Sequence, residues 1–342
     1  MGNPIRFGVV GAGAFASRRH LPDMIENNDA ELVALCRRNE AELNKVADHF
    51  DVSGRYTDYD AMLEHADMDA VLVATPHALH YEQAKLALKH DFHVLLEKPM
   101  TIHTSEAREL ADLAADRDRV LTVALNPPFW RHTHYVRNVI GQGEIGDLEA
   151  VSFHWLGNAE YAFGRAPMPD QMPGIVKPTL YRSDPEMGGG GHLMDGGSHL
   201  ISELLWVTQL SPLSVSARMD DVMIDMRSSV QVMLEGHVLA EIVNIGDSRH
   251  PDRRIINVYF GSRGSVRVEG MPFRITIDKV GESPVVVEED NLPDVAGPVA
   301  HFVDVILGKG EALSAPEHGV DVVQVMEGAY QSARDGKRVD LV

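Results

Sequence analysis

An apolar stretch, Ile5–Val10, leads directly into residues 11–16 (GAGAFA), after which the sequence has helical character. This is the G-x-G-x-x-G/A pattern in its required context, with a strand before it and a helix after it. Gly11 permits the tight turn, Gly13 lets the backbone approach a pyrophosphate, and Ala16 is small enough for helix–strand packing. Unpaired N–H groups at the helix start favour phosphate. The predicted cofactor contacts of this turn are Gly11, Gly13, Ala14, Phe15 and Ala16.

Strand-like and helix-like segments alternate over the first part of the chain. The predicted strands are Leu32 to Cys36, Ala70 to Ala74, His93 to Leu96 and Val120 to Ala124. The predicted helices lie near Glu40 to His49, Ala78 to Lys89 and Ser105 to Asp116. Repeated β-α units imply a doubly wound parallel sheet, whereas many strands after such a run imply a separate α+β domain. We predict a Rossmann domain over residues 1–125 and a second, substrate-binding α+β domain over 126–342.

The end of the second predicted strand bears on the choice of cofactor. Sites that prefer NAD usually have an Asp or Glu there, bonded to the ribose 2′-hydroxyl. This chain has Cys36-Arg37-Arg38 at that point. A guanidinium suits the 2′-phosphate of NADP, whereas the structural alternative is an arginine pair solvated on a loop. We predict that Arg37 and Arg38 bind the cofactor and that NADP(H) is favoured, with NAD(H) as the alternative.

Two further strand ends carry chemically useful residues. The third strand ends in Thr75-Pro76, and the fourth ends in Glu97-Lys98-Pro99. Ligands of open parallel sheets bind outside the carboxyl ends of the strands, so Lys98 is expected at the mouth of a crevice. Pro99 restricts the backbone just behind it. Thr-Pro also starts ordinary helices, and a histidine in the first helical turn is often structural. The residues added to the predicted cofactor site are Thr75, Pro76, His80, Glu97 and Lys98.

A glycine run introduces a second chemical centre. Gly188 to Gly191 precede an apolar helical segment that reaches Trp206, and Asp195 and His199 lie four residues apart within it. On an α-helix this spacing places both side chains on one face. An imidazole titrates near neutral pH, and a carboxylate beside it can orient it and stabilise its charge. Because a glycine run is costly for structure alone, we favour an acid–base pair over a surface ion pair. His192 is a candidate substrate contact.

Composition limits the classes of function. The net charge of −20 argues against a nucleic-acid partner, because such proteins carry a basic footprint. No apolar run approaches the roughly 20 residues of a membrane helix, and the N-terminus lacks the order of a signal peptide. The single cysteine, Cys36, cannot form an intrachain disulfide, and no Cys/His cluster has zinc spacing. We expect a cytoplasmic protein without a metal site, a membrane partner or a nucleic-acid partner.

Several motifs occur in an order and at spacings that resemble the Gfo/Idh/MocA oxidoreductases, a family that includes glucose-fructose oxidoreductase and inositol dehydrogenase. They are Gly11-Ala12-Gly13, Thr75-Pro76-x3-His80, His93-Val94, Glu97-Lys98-Pro99 and Gly190-Gly191-x3-Asp195-x-Gly197-x-His199. The C-terminal Ala329-Tyr330-x-Ser332 also resembles the family, so the resemblance covers nearly the whole chain. It implies a large, mostly antiparallel sheet in the second domain and a nicotinamide pocket lined by the region of Lys98. It also implies that Lys98, Asp195 and His199 are catalytic.

The junction between the domains follows the family with one departure. Family members often have Asn-x-Arg-Phe there, whereas this chain has Asn126 but Pro128 in place of the arginine. Asn126 is expected at the cofactor. Further on, His154 and Trp155 leave a predicted strand near the expected crevice, and an aromatic ring there can stack on a sugar. These two residues are candidate substrate contacts, and the structural alternative is a core tryptophan beside a surface histidine.

The resemblance implies an NAD(P)-dependent oxidoreductase that transfers a hydride between nicotinamide and a carbinol or carbonyl carbon of a sugar, polyol or related hydroxylated ring. His199 is expected as the acid/base, and Lys98 as the group that stabilises the substrate oxygen. Asp195 is expected either to orient His199 or to bind a neighbouring hydroxyl.

The sequence leaves two other functions open. One is an NAD-dependent glycosidase that uses transient oxidation and elimination, against which the arginine pair argues mildly. The other is a non-enzymatic dinucleotide or sugar sensor, against which the proton-transfer groups argue. In the family the second-domain sheet commonly forms an oligomer interface, so a homodimer or homotetramer is expected.

Overall fold

The computed structural model describes residues 3–170 and 174–341, which divide into two compact units. The first unit consists of the described residues up to Ala124 and those of Ala166–Gly188 and Ala296–Val320. The second consists of Leu125–Arg165, Gly189–Val295 and the described residues from Asp321 onward. Each unit therefore contains chain segments that are distant in sequence. Among the described helices, none combines the length and apolar character needed to span a membrane.

The strands and helices are numbered along the chain. The strands are β1 Ile5–Val10, β2 Ala30–Cys36, β3 Gly54–Tyr56, β4 Ala70–Val73, β5 His93–Leu96, β6 Leu121–Val123, β7 Leu148–Leu156, β8 Pro212–Met219, β9 Arg227–Leu234, β10 Leu239–Ile245, β11 Arg254–Gly261, β12 Gly264–Gly270, β13 Arg274–Lys279, β14 Val285–Glu288 and β15 Val339–Asp340. The helices are α1 Ala14–Arg18, α2 His20–Glu26, α3 Glu40–His49, α4 Tyr59–His65, α5 His80–Lys89, α6 Thr104–Asp116, α7 Arg131–Gly141, α8 Pro185–Gly188, α9 Ser198–Thr208, α10 Pro298–Ile306 and α11 Pro316–Asp335.

The first unit contains a parallel sheet in the order β3-β2-β1-β4-β5-β6. The strand order reverses between β1 and β4, which creates the crevice where doubly wound sheets bind ligands. The predicted Rossmann sheet is confirmed. Strand β3 and helix α4 were not predicted, because β3 is short and only partly buried and so lacks a strong apolar pattern.

The core of the first unit forms because the central strands are buried on both faces. Phe7 and Leu95 are fully buried in the sheet, and Leu21 on α2 packs against the same cluster. The ring of Phe302 on α10 lies 5.9 Å from that of Phe7, which places this late segment in the first unit. Full burial of one such side chain contributes about 1.5–3 kcal/mol.

The second unit contains a sheet in the order β14-β13-β12-β11-β7-β10-β9-β8-β15. Neighbouring strands are antiparallel except β7 and β10, which pair in parallel. The expected large, mostly antiparallel sheet is confirmed. Burial alternates along the central strands, so that Phe153 on β7 and Tyr259 on β11 lie on the covered face, with ring centroids 5.4 Å apart. Hydrogen bonds from β11 reach Glu203 on α9, which places that helix on the same face.

Candidate functional site

The glycine turn after β1 has the geometry of a dinucleotide-binding loop. Gly11 has φ +84°, and a Cβ there would lie 2.6 Å from the carbonyl carbon of Ala74 at the end of β4. Only glycine accommodates both conditions without strain. The predicted single helix after the turn is instead two short helices, α1 and α2, separated at Arg19. The close approach of backbone to backbone at the reversal of strand order fits a dinucleotide, as the sequence pattern predicted.

The arginine pair after β2 divides into two different environments. The guanidinium of Arg37 lies beside the glycine turn, with Nη1 donating to the Ala12 carbonyl at 3.4 Å. Its Nε donates to Glu42 on α3 at 3.0 Å, and Nη2 also bonds to that carboxylate. Arg38 is exposed. The charge of Arg37 is therefore shared with Glu42, a partner that the sequence pattern did not indicate.

His80 ties together the carboxyl ends of β4 and β5. Its ring is completely buried, with Nδ1 2.7 Å from the Pro99 carbonyl oxygen and Nε2 2.9 Å from the Thr75 carbonyl oxygen. Burial lowers the pKa of His80, although both backbone contacts favour the charged form. The Thr75 hydroxyl is held against Gln83, and Pro76 precedes a short 3-10 turn. His80 thus fixes the backbone at Thr75 after β4 and at Pro99 next to Lys98, rather than presenting a ring to a ligand.

Glu97 forms a buried pair with His20 on α2. The His20 Nε2 lies 2.6 Å from Glu97 Oε1, and Glu97 Oε2 accepts a hydrogen bond from the Lys98 backbone N–H at 3.1 Å. Burial disfavours the charge on Glu97. The hydrogen bond from His20 and the nearby positive charges of His20 and Lys98 outweigh that penalty, and the pKa of Glu97 is lowered. The carboxylate of Glu97 therefore organises the turn that carries Lys98, and the Lys98–Pro99 peptide bond is cis.

The glycine run of the second unit is required by close packing. A Cβ at Gly191 would lie 2.1 Å from the backbone nitrogen of Asp225, and one at Gly190 would lie 2.5 Å from the Tyr330 hydroxyl. The helical segment that follows begins with a π turn, Leu193–Gly197, and continues as α9. The predicted helix is therefore present, but its first turn is wider than an α-helix. Single π turns inside helices are frequent at functional sites.

Asp225 and Tyr330 anchor this π turn from outside it. The carboxylate of Asp225 accepts hydrogen bonds from the backbone N–H groups of Gly191 at 3.2 Å and Leu193 at 2.8 Å, and from the Tyr330 hydroxyl at 2.5 Å. The Tyr330 oxygen also accepts from the N–H of Met194 at 3.2 Å. Burial raises the pKa of Asp225 to about 6, although these hydrogen bonds oppose the shift. Asp225 was not predicted as part of the site, because it lies 34 positions from Gly191.

The helical segment exposes one narrow stripe. His192, Asp195, Gly196 and His199 are half-buried, whereas Leu200 to Thr208 are buried. The ring of His192 packs so closely on Gly196 that a Cβ there would lie 2.7 Å from it. The stripe thus brings a carboxylate and two imidazoles to one accessible face of the second unit. This arrangement can move a proton to and from a bound hydroxyl.

The candidate substrate residues of β7 point in opposite directions. Trp155 lies on the covered face, where its ring stacks on Trp130 with centroids 5.7 Å apart, and Trp130 lies 6.0 Å from the ring of His199. His154 is on the other face of the sheet, opposite Ile256 in the register. Trp130 was not singled out from the sequence, and its place next to His199 could not be derived from spacing.

The predicted site residues are divided between the units. The first unit holds the glycine turn, Arg37, Arg38, Thr75, Pro76, His80, Glu97 and Lys98, whereas the second holds Asn126, His154, Trp155, His192, Asp195 and His199. Asn126 begins a short 3-10 turn, Pro127–Phe129, which contains Pro128, the residue that stands where family members often have arginine. Arg131 donates to the carbonyls of Leu292 and Pro293. Among the described residues, no group of three or more His, Cys, Asp or Glu is arranged to hold a metal ion.

Comparison with known proteins identifies the family. A family model described as "Oxidoreductase family, NAD-binding Rossmann fold" matches residues 5–125, and one described as "GFO/IDH/MocA C-terminal domain" matches residues 133–267. The chain belongs to the Gfo/Idh/MocA oxidoreductase family. The resemblance drawn from its motifs is thereby confirmed, and the chain is an oxidoreductase with an NAD(P)-binding Rossmann domain.

Two relatives and one solved structure show what this Gfo/Idh/MocA chain is similar to. It is 33% identical to dTDP-3,4-didehydro-2,6-dideoxy-alpha-D-glucose 3-reductase of Saccharopolyspora spinosa over 79% of this chain and 76% of the relative. It is 26% identical to D-glucoside 3-dehydrogenase of Escherichia coli over 99% of this chain and 98% of the relative. A structure of an inositol dehydrogenase homologue from Azotobacter vinelandii with NAD+ matches with TM-score 0.85 and 20% identity, covering 99% of this chain and 98% of that chain. This last similarity supports the fold alone.

Proposed function

We propose that the protein oxidises or reduces a single secondary carbon of a sugar or polyol, and that this carbon is C3 of a pyranose ring. Two relatives that cover at least three-quarters of both chains are named for reactions at position 3 of a glucose derivative or glucoside. The observation that carries the proposal is the half-buried stripe with Asp195 and His199, because hydride transfer at a carbinol needs a proton acceptor for its hydroxyl.

The proposed role of each site residue in this reaction follows from the chemistry of its side chain. Bound NAD(P) supplies or accepts the hydride. His199 takes the proton of the reacting hydroxyl during oxidation and returns it during reduction. The ammonium of Lys98 donates a hydrogen bond to the same oxygen and stabilises its developing negative charge. Asp195 orients His199 or binds a neighbouring hydroxyl. His192 lies on the same stripe as Asp195 and is proposed as a substrate contact.

The test is a turnover screen of the purified full chain. It uses glucosides, free aldoses, inositols and a 3-ketoglucoside with each nicotinamide cofactor, and follows NAD(P)H absorbance and the regiochemistry of the product. Reaction at C3 supports the proposal. Reaction at C1 or on inositol alone shifts the substrate assignment within the family. Tightly retained NAD(H), without net turnover but with glycoside cleavage, contradicts simple oxidoreduction.

We also propose that the site accepts NADP(H) in preference to NAD(H). The support is the absence of an acid at the end of β2, where Arg37 and the exposed Arg38 follow the strand. The opposing feature is Glu42, which shares the guanidinium of Arg37 and would compete with a 2′-phosphate for it. A cytoplasmic location also stays a proposal, in agreement with a single cysteine, Cys36, that is buried and free.

Replacing Glu42 with Gln is expected to tighten NADPH binding by roughly fivefold to tenfold while leaving NADH binding nearly unchanged, because a charge-assisted bond to Arg37 is released. Fluorescence titration with both cofactors measures the ratio. Glu40→Gln is the matched control, since it removes the same charge from the first turn of α3 at an exposed position. An equal change of the ratio in both variants would show that net charge, not the Arg37 contact, is responsible.

A homodimer or homotetramer through the sheet of the second unit is proposed as well. Leu239 on β10 and Phe260 on β11 lie on either side of Ala150 in the register, on the sheet face opposite Tyr259. They are 46% and 43% exposed, and large apolar side chains adjoining in a patch mark interaction surfaces.

The double variant Leu239→Lys/Phe260→Lys is expected to be monomeric, because it places two desolvated charges in the proposed interface. Light scattering coupled to size-exclusion chromatography gives the mass at one fixed concentration. Ile25→Lys, at an exposed apolar position of α2, is the control and should leave the mass unaltered. An oligomer that survives the double variant places the interface elsewhere.

A further inference from the structure

Glu203 is a buried acid that the proposed reaction does not use. It lies on α9 one turn after His199 and has no exposed surface. Its Oε1 accepts hydrogen bonds from Asn257 Nδ2 at 2.8 Å and from the Tyr259 hydroxyl at 3.0 Å. Its Oε2 is buried and has no hydrogen-bond partner among the described residues. A half-satisfied acid in a core is destabilising compared with an apolar residue, so its presence calls for a functional explanation.

The contacts of Glu203 lead to the aromatic side chains beside His199. Because Asn257 donates its amide nitrogen to Glu203, its oxygen is turned toward Trp155 and accepts the indole Nε1–H at 3.2 Å. Trp155 stacks on Trp130 with the rings inclined by 18°, and Trp130 lies against the ring of His199. An unbroken series of contacts thus joins Glu203 to the accessible stripe.

We propose that Glu203 is a positioning residue for the chemistry at His199, acting through Asn257 and Trp155 on Trp130, the indole that lies against the imidazole. The inference rests on the proposed role of His199. It goes beyond that role because it makes the orientation of Trp155 and Trp130 depend on the protonation state of Glu203, a carboxyl that touches neither substrate nor cofactor. The fit of the substrate beside His199 would change with that orientation.

Burial brings the ionisation of Glu203 into the neutral pH range. Burial raises the pKa of Glu203 to about 7, and the hydrogen bonds from Asn257 and Tyr259 only partly oppose this. Burial raises the pKa of Tyr259 far above its ordinary value.

The other titratable groups on α9, on the π turn before it and on α7 are His199, Asp195, Arg131, His132, His134, Tyr135 and Arg137. Burial lowers the pKa of His132 to about 3 and lowers that of His134. Arg137 stays charged near neutrality. Glu203 is therefore neutral in mild acid, and it gains a charge as the pH rises through neutrality.

Ionisation of Glu203 changes the strength of the hydrogen bond that it accepts from Asn257. A carboxylate accepts more strongly than a carboxylic acid, and its second oxygen then carries charge without a partner. The Asn257 amide and the indole bonded to it respond to that change. The three tryptophans, Trp130, Trp155 and Trp206, all belong to the second unit, so their fluorescence reports this response without substrate.

The experiment is a pH titration of tryptophan fluorescence on the full chain, from about pH 5 to about pH 9. The wild type is expected to show a transition near pH 7, and Glu203→Gln, which mimics the neutral acid, is expected to lose it. The matched control Glu241→Gln carries the same change on β10, on the opposite face of the sheet, and should keep the transition. Asn257→Ala, which leaves Glu203 in place, should also lose it, and thus provides a second variant if Glu203→Gln does not fold.

Steady-state kinetics supplies the second arm. The pH profile of KM should lose its inflection near neutrality in Glu203→Gln, while kcat at about pH 6 stays within about threefold of the wild type. A transition that persists unchanged in both Glu203→Gln and Asn257→Ala overturns the proposal, whatever the substrate is. A lost transition in a protein that turns over no sugar would instead leave Glu203 coupled to the indoles and refute the proposed function.

Discussion

His199→Asn is expected to lower kcat by roughly 10²–10⁴-fold while the affinities for NADPH and NADH stay within about twofold, because general acid–base catalysis is lost without a change in the Rossmann unit. His199 lies in the second unit, and the glycine turn lies in the first. Cofactor titration and turnover are measured on the same preparation. The matched control is His237→Asn, at an exposed turn position with φ 64° that asparagine tolerates.

Lys98→Met tests, in the same assay, whether Lys98 stabilises the negative charge on the substrate oxygen. It is expected to lower kcat roughly 10²–10³-fold by removing a donor to the developing oxyanion. If both residues act on one proton-transfer step, the double variant is little worse than the more impaired single variant, since residues that act as a unit are not additive. Fully multiplicative losses would assign them to separate steps, and near-normal turnover in either single variant would remove that residue from the proposed site.

Asp225→Ala is expected to destabilise the second unit by roughly 3–5 kcal/mol, because it leaves buried donors without their acceptor. Those donors are the Leu193 N–H, the Gly191 N–H and the Tyr330 hydroxyl. Urea unfolding followed by tryptophan fluorescence measures the loss. Turnover should fall with it even below the unfolding transition, because the π turn that carries Asp195 loses its anchor.

Two further variants test whether the loss of stability in Asp225→Ala comes from the buried hydrogen-bond network. Tyr330→Phe keeps the ring and removes the hydroxyl, and is expected to cost about 1–2 kcal/mol. Asp221→Ala removes an exposed carboxylate that accepts from the neighbouring N–H groups of Met223 and Ile224, and should change the free energy of unfolding by less than about 1 kcal/mol. Equal destabilisation by Asp225→Ala and Asp221→Ala would mean that the buried network does not hold the turn.

Local pattern predicted much of the fold. The bounds of α3 and β5 coincide with the predicted segments, because each carries a complete periodic or apolar pattern within one stretch. In the second unit, strand-like segments predict β7 to β12, whereas β13, β14 and β15 were not predicted, since they lie toward the edges of the sheet or are too short to show alternation. The segments Ala166–Gly188 and Ala296–Val320 were not expected in the first unit, because the contacts that place them there join residues far apart in sequence.

In the candidate site too, residues in short motifs were predicted, whereas contacts between other residues were not. Gly11, Lys98, Asp195 and His199 were singled out from motifs, because each has a distinctive neighbour at a short spacing. Their catalytic and binding roles stay proposals. Glu42 lies just beyond the arginine pair, but an acid at the third position of a helix has a common structural role and gave no signal of its contact with Arg37.

By itself, the amino-acid sequence predicted the doubly wound first unit and the strand-rich second unit, and it singled out the residues that are proposed to carry the chemistry. These properties depend on periodicity and on short spacings, which are present in any local window of the chain. Only the tertiary structure decided that Asp225 and Tyr330 hold the π turn and that Glu203 reaches Trp155 through Asn257. Glu203 and Asn257 are 54 positions apart, and their hydrogen bond exists because a helix packs on a sheet and excludes water from both groups.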